Sequence, residues 1–112
     1  MTDARAWVSW TAPGFHCWPG IRDAAGQLYL SVRHRHLFHY HVEVDVHNDD
    51  RDIEFHELLA HCKTYTKREE WEGSSCETIA RGLIDHVEQR WPQRHPAVTV
   101  SEDGECGATV QS

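Results

Sequence analysis

The sequence predicts an α+β fold, an antiparallel sheet with two helices gathered on one face. Three observations carry that reading. From Phe38 the chain alternates without a break, with Phe38, Tyr40, Val42, Val44 and Val46 on one parity and His39, His41, Glu43, Asp45 and His47 on the other. That is the period-two pattern of a strand with one apolar and one wet face. Two later stretches carry apolar residues at helical spacing, and the elements run in the order strand, strand, helix, helix, strand, strand. Such an order favours an antiparallel sheet covered on one side.

Residues 5–11, rich in aromatic and β-branched side chains, suit a first strand. Pro13-Gly14 and Pro19-Gly20 punctuate the next segment, and Asp23 to Gly26 reads as a turn. Leu28 to His47 reads as one long extended run, with its clearest strand from His34 to Val46, closed by Asn48-Asp49-Asp50. Around Phe55 to Glu70, the residues Phe55, Leu58, Leu59, Cys62 and Tyr65 form one stripe of a helix. Gly73 breaks it. Ser74-Ser75-Cys76-Glu77 offers a capping box, with Ser74 at the cap, to a second helix whose stripe is Ile79, Ala80, Leu83, Ile84, Val87 and Trp91. Trp91-Pro92 ends that helix. Ala97 to Glu102 is a short strand, Asp103-Gly104 a turn, and Ala108 to Val110 a last extended piece.

With 112 residues the chain has room for one domain and one core, so residues 1–112 are expected to be a single unit. Its 39% hydrophobic and 26% charged residues are those of a globular protein, and no apolar run is long enough to span a bilayer. Met1 to Ala6 lead into no long apolar stretch, so no secretory signal is expected and a cytoplasmic location is. Eleven Lys and Arg against eighteen Asp and Glu give a net charge of −7, which argues against a general nucleic-acid binder. The cysteines, at 17, 62, 76 and 106, form no Cys-x-x-Cys pair, and free thiols are expected.

Ten histidines in so short a chain are the anomaly. His34 and His36 share the parity of Phe38 and Tyr40, so both lie at the end of the inward face of their strand. Two imidazoles so placed can take adjacent positions on one zinc ion. His16, in the loop after the first strand, is the candidate third ligand. The alternative is a pair of partly buried, hydrogen-bonded histidines. His39, His41 and His47 lie on the opposite face. His56, His61 and His86 fall on helices, where solvated or capping roles are usual, and His95 has no evident partner. Glu102 shares parity with Val98 and Val100, so a carboxylate either continues an apolar face or sits beyond the strand's end in solvent. In the first case it needs a partner, such as a ligand with paired N–H groups.

Taken together, these residues resemble the tetrahydropterin-synthase-like T-fold family, which includes 6-pyruvoyl- and 6-carboxytetrahydropterin synthases. His34-Arg35-His36-Leu37-Phe38 is similar to the family's His-Gly-His segment, and Ile53-Glu54-Phe55 to its step into the first helix. Ser74 to Ala80 stands where the family's second helix begins, and Val98-Thr99-Val100-Ser101-Glu102 resembles the strand whose Glu anchors the pterin ring. The resemblance spans about residues 5 to 110. It implies zinc held by His16, His34 and His36, a pterin- or purine-like ligand on Glu102, and a homo-oligomer.

The departures bear on catalysis. The family's catalytic Cys shortly before the His-x-His has no counterpart in Gln27 to Arg33, and Cys17 is the one nearby substitute. The loop before His16 differs from the family's Ser-Ala-x-His. Thr64 to Gly73 holds no histidine, so the family's Asp-His pair is missing there, and Asp85-His86 falls inside the second helix. The sequence therefore predicts a scaffold that binds a pterin- or purine-like small molecule, with zinc, and assigns no catalytic residue. The alternative is a non-catalytic module of the same fold that sequesters a nucleotide-like ligand or binds a partner protein.

Overall fold

A computed structural model describes residues 2–21 and 27–112. The expected Asp23–Gly26 turn lies outside the described residues. The elements among the described residues are β1 (Arg5–His16), β2 (His34–Asp45), α1 (Phe55–Thr66), β3 (Glu70–Glu72), α2 (Cys76–Arg90), β4 (Ala97–Glu102) and β5 (Cys106–Gln111), and Leu28–Ser31 forms a 3-10 turn where an extended run from Leu28 was expected. Strands order as β3-β1-β2-β4-β5 in one sheet. α1 packs over β1, and α2 over β4 and β5. The predicted α+β architecture is what is found, with one addition. β3 runs parallel to β1, so the sheet is mixed.

β3 is short because only one of its residues has a reason to be there. Trp71 is buried between the exposed Glu70 and Glu72, and it pulls the chain back onto the sheet. This is why α1 ends at Thr66 and does not run to Glu70. Thr66 itself is buried, and its hydroxyl accepts the Trp10 indole N–H at 2.9 Å.

β1 passes through Pro13 and Gly14 without breaking, in register with β2 from Arg5↔Asp45 to His16↔His34. Phe15 N–H points away from β2, donating to Glu69 O at 2.7 Å. By strand parity the Pro13 nitrogen faces that same outer side, beyond the end of β3, where no donor is required. Gly14 is needed for space, since a Cβ there would come within 2.9 Å of the Trp71 ring and 3.0 Å of Phe38.

α1 begins where Glu54 accepts from the amides of His56 and Glu57 at 3.0 and 2.7 Å. The cap of α2 is Ser75, whose hydroxyl accepts from Thr78 N–H at 3.2 Å, one residue later than the expected Ser74. Ser74 is spent otherwise, with its N–H on Trp71 O and its carbonyl accepting from His16.

One apolar cluster fills the space between sheet and helices. Ala6, Val8 and Trp10 of β1 join Phe38, Tyr40, Val42 and Val44 of β2 and Val98 and Val100 of β4. The helices cover them with Leu58, Cys62, Ile79, Leu83 and Val87. The remaining histidines divide. His39 and His41 lie on the opposite face as expected, with His41 bonded to Ser9 at 2.7 Å. His61 and His86, both half-buried, are not caps; they stack across the α1–α2 contact at 4.1 Å and 9°, each Nε2 2.8 Å from the other's carbonyl oxygen. His95, expected to stand alone, meets Asp45 at 2.9 Å.

The end of the core farthest from the His34–His36 pair is fastened by Asp52. Its carboxylate accepts from His47 N–H at 2.8 Å and from the Arg94 guanidinium. The His47 amide first, and Arg94 second, hold that carboxyl below the usual carboxylate range. The unfolded chain therefore binds more protons than the native one around pH 4. The stabilisation is present above that pH and is lost as pH falls through the lowered native value. Asp52→Asn is expected to lower Tm at pH 7, and the gap from wild type should close in acid, which a Tm-against-pH series checks.

Candidate metal and ligand site

The site forms because strand parity and register bring distant residues to one end of the inner face. His16 is the last residue of β1, not part of a loop beyond it, and lies directly opposite His34, while Gly14 sits opposite His36. On the other side of β2, Phe38 pairs with Glu102, the last residue of β4. Phe38 is the floor of the site, fully buried, with its ring edge-on to His16 and His36 at 5.3 and 5.7 Å. Glu102, for which a solvent position was the alternative, is turned inward. Its Oε2 is 3.0 Å from His36 Nε2 and its Oε1 3.5 Å from His16 Nε2.

His16, His34 and His36 each bring a ring nitrogen to within 4.8 Å of the others'. The remaining nitrogens are all occupied. His16 Nδ1 meets Ser74 O at 3.0 Å, His34 Nδ1 meets Val32 O at 2.8 Å, and His36 Nδ1 meets the Asp103 carboxylate at 2.8 Å. Carbonyls and carboxylates only accept, so each Nδ1 carries the proton. In a neutral ring Nε2 is then a lone pair. Nε2 of His16 and of His36 is buried, and neither has a hydrogen-bond partner among the described residues.

Burial acts in the same direction. His16 is 7% exposed, and burial, the largest influence, moves its pKa down and favours the neutral ring. With the rings neutral, imidazole lone pairs and a carboxylate converge on one small space. A cation in that space relieves the conflict. The donor set of three imidazoles with fixed tautomers fits zinc.

A cleft of about 510 Å³ opens beside the cluster. Its walls include His16, Cys17, Ser75, Cys76, Glu77 and Glu102. Cys76 sits at the first turn of α2 with Sγ 4.0 Å from Glu102. Burial first, and then the carboxylates of Glu102 and Glu77, push its thiol up to about 12. It is a protonated thiol at neutral pH and a poor nucleophile. Cys17 also lines this cleft. Asp85 and His86 do not line it; His86 is held in its stack on α1.

Three residues of the site escape a reading of the sequence. Asp103 registers there only as a turn residue, and Ser74 serves through its backbone carbonyl, which no side-chain pattern reports. Cys76 looks like an ordinary helix-start residue. The Asp103-Gly104 pair is the one available signal.

No family model matches the chain, and no curated protein matches it. Among solved structures, the chain is similar to 6-pyruvoyl tetrahydropterin synthase from Plasmodium vivax, with a TM-score of 0.59. The match covers 98% of this chain and 99% of that one, at 16% sequence identity. The fold is distantly similar to that synthase's. At this identity the likeness is one of architecture, and the chemistry rests on the residues described above.

Proposed function

We propose that this protein binds a pterin-like heterocycle in the cleft beside a zinc ion held by His16, His34 and His36. The observation that carries the reading is the convergence of unpartnered, buried imidazole nitrogens and Glu102 at the mouth of a cleft of about 510 Å³. That volume suits a bicyclic ring with a short side chain. Glu102 can accept from paired ring N–H groups, and the first amides of α2 offer partial positive charge to a ring oxygen. Bound zinc supplies Lewis acidity toward a side-chain oxygen of the ligand. The structural neighbour's name, a tetrahydropterin synthase, supports the same ligand class. A homo-oligomer, as the family resemblance implies, belongs to this reading.

Binding is the proposal. Burial pushes the Cys76 thiol up to about 12, which makes it a poor nucleophile in this cleft, and no catalytic role is assigned.

Metal analysis of untagged protein and a thermal-shift screen test this together. Near-stoichiometric zinc and stabilisation by pterins, lost in Glu102→Ala, are the expected results. Zinc-free protein that takes up no zinc on reconstitution would overturn the metal assignment. Stabilisation that survives Glu102→Ala would overturn the role of that carboxylate.

A further inference from the structure

We infer that Asp103 is a positioning residue that fixes the tautomer of His36 and thereby makes its Nε2 available to the metal. The inference rests on the metal-site reading above and goes beyond it to a residue outside the ligand set. Asp103 is joined to β2 by three contacts of the same length. Its N–H donates to Leu37 O at 2.8 Å, its Oδ1 accepts from Leu37 N–H at 2.8 Å, and its Oδ2 accepts from His36 Nδ1 at 2.8 Å. The first two make a clasp on the strand. The third is directed at the ring.

Geometry gives this third contact its consequence. Asp103 has φ of 57°, and Gly104 follows with φ of 72°. Two successive left-handed residues make the turn that swings the Asp103 carboxylate back over the start of β2. Glu105 N–H on Glu102 O at 3.0 Å closes it. The same turn therefore sets Glu102 on one side of His36 and Asp103 on the other. With Nδ1–H fixed on Asp103, the Nε2 lone pair faces the space shared with His16 and Glu102. His34 and His16 have backbone carbonyls in this role, and His36 alone of the three has a carboxylate. A carboxylate in this position orients the ring and raises its basicity toward a metal.

Asp103→Asn separates the clasp from the ring contact. Asn tolerates left-handed backbone about as well as Asp. Its amide oxygen can still accept from Leu37, so the strand clasp is kept. The amide NH₂ then faces His36 Nδ1 and can only donate. His36 must carry its proton on Nε2 instead, which blocks the metal-facing nitrogen. The change alters which nitrogen is protonated while leaving the shape of the turn.

Two measurements test it. Zinc affinity by chelator competition is expected to fall about 10- to 100-fold in Asp103→Asn. In a His36→Ala background, the same change is expected to move affinity by less than about twofold, since the ring through which Asp103 acts is gone. The imidazole nitrogens of the metal-free protein, observed by NMR, are expected to show His36 protonated at Nδ1 in wild type and at Nε2 in the variant. The inference is overturned by an unchanged His36 tautomer in the variant, or by a loss of zinc affinity that persists undiminished without His36. If wild type takes up no zinc, the metal reading fails, and the NMR comparison still decides whether Asp103 sets the tautomer.

Discussion

Zinc is expected to raise the Tm of the metal-free protein by about 15 °C, and the His34→Ala/His36→Ala double variant is expected to abolish that rise. The size comes from linkage. A metal present at about a thousand times its dissociation constant stabilises the native state by about 4 kcal/mol. Each kcal/mol moves the Tm of a domain this small by about 4 °C. The metal-free state has its own cost to set against this. Nε2 of His16 and of His36 is buried without a partner, and Glu102 presses acceptor oxygens toward both. Such groups destabilise a fold until something satisfies them. His34→Ala alone, at a half-buried position, is therefore expected to leave the Tm of the metal-free protein nearly unchanged while removing most of the zinc-induced rise. The reading would be sunk by equal Tm values with and without zinc in wild type, scanned by calorimetry against a chelator control. A zinc-induced rise that survives in the double variant would place the metal elsewhere.

The sequence disclosed the parts of this molecule that repeat and concealed those that occur once. Five alternating residues from Phe38 to Val46 announce β2 because each repeats the same statement about which face is wet. The α2 stripe from Ile79 to Val87 does so at the other period. β3 has a single apolar residue, Trp71, among glutamates, so no period exists to detect. The Ser74–Ser75 step misled for a related reason. Either serine can cap, and the choice falls to Ser75 because Ser74 O is taken by His16, a residue 58 positions away in the chain. Pro13-Gly14 reads locally as a stop, yet the strand continues because the proline nitrogen faces an open edge.

The site was legible to the same degree. Parity placed His34 and His36 together and on the inner face, with no help from tertiary structure. His16 and Glu102 stood as candidates on position and parity, and the family resemblance joined them to one site, because their proximity depends on register between strands. Asp103 showed in the sequence only as half of an Asp-Gly turn. Its part depends on two left-handed residues and on a ring orientation that no linear pattern carries. The stacked His61–His86 pair was hidden likewise, since it belongs to the contact between two helices.

The second large effect is expected at Phe38, because it belongs to both the core and the site. Phe38→Ala is expected to cost about 3–5 kcal/mol, as large buried aromatics do when truncated. Against a total of about 5–15 kcal/mol for a domain, that is a large part of what holds the chain folded. The ring is fully buried between Ala12 and Glu102 on the neighbouring strands. Its neighbours cannot collapse into the gap easily. His16 and His36 are tied through their Nδ1 atoms, and Gly14 is already a position without a side chain. In urea, with an m-value of about 1.5 kcal/mol per M, the midpoint should fall by about 2 M or more. Phe38→Leu retains enough volume to stay folded and isolates the second effect. The floor under two ligand rings is then narrower, so zinc affinity should fall although no ligand has changed. Trp7→Ala is the control. Trp7 is 60% exposed on the opposite face and stacks on His41, so its removal should shift stability by no more than about 0.5 kcal/mol and leave zinc affinity alone. A Phe38→Ala midpoint close to that of wild type would show that the ring is not the shared support described. Equal zinc affinity in Phe38→Leu and wild type would show that the histidines are held by their Nδ1 partners alone.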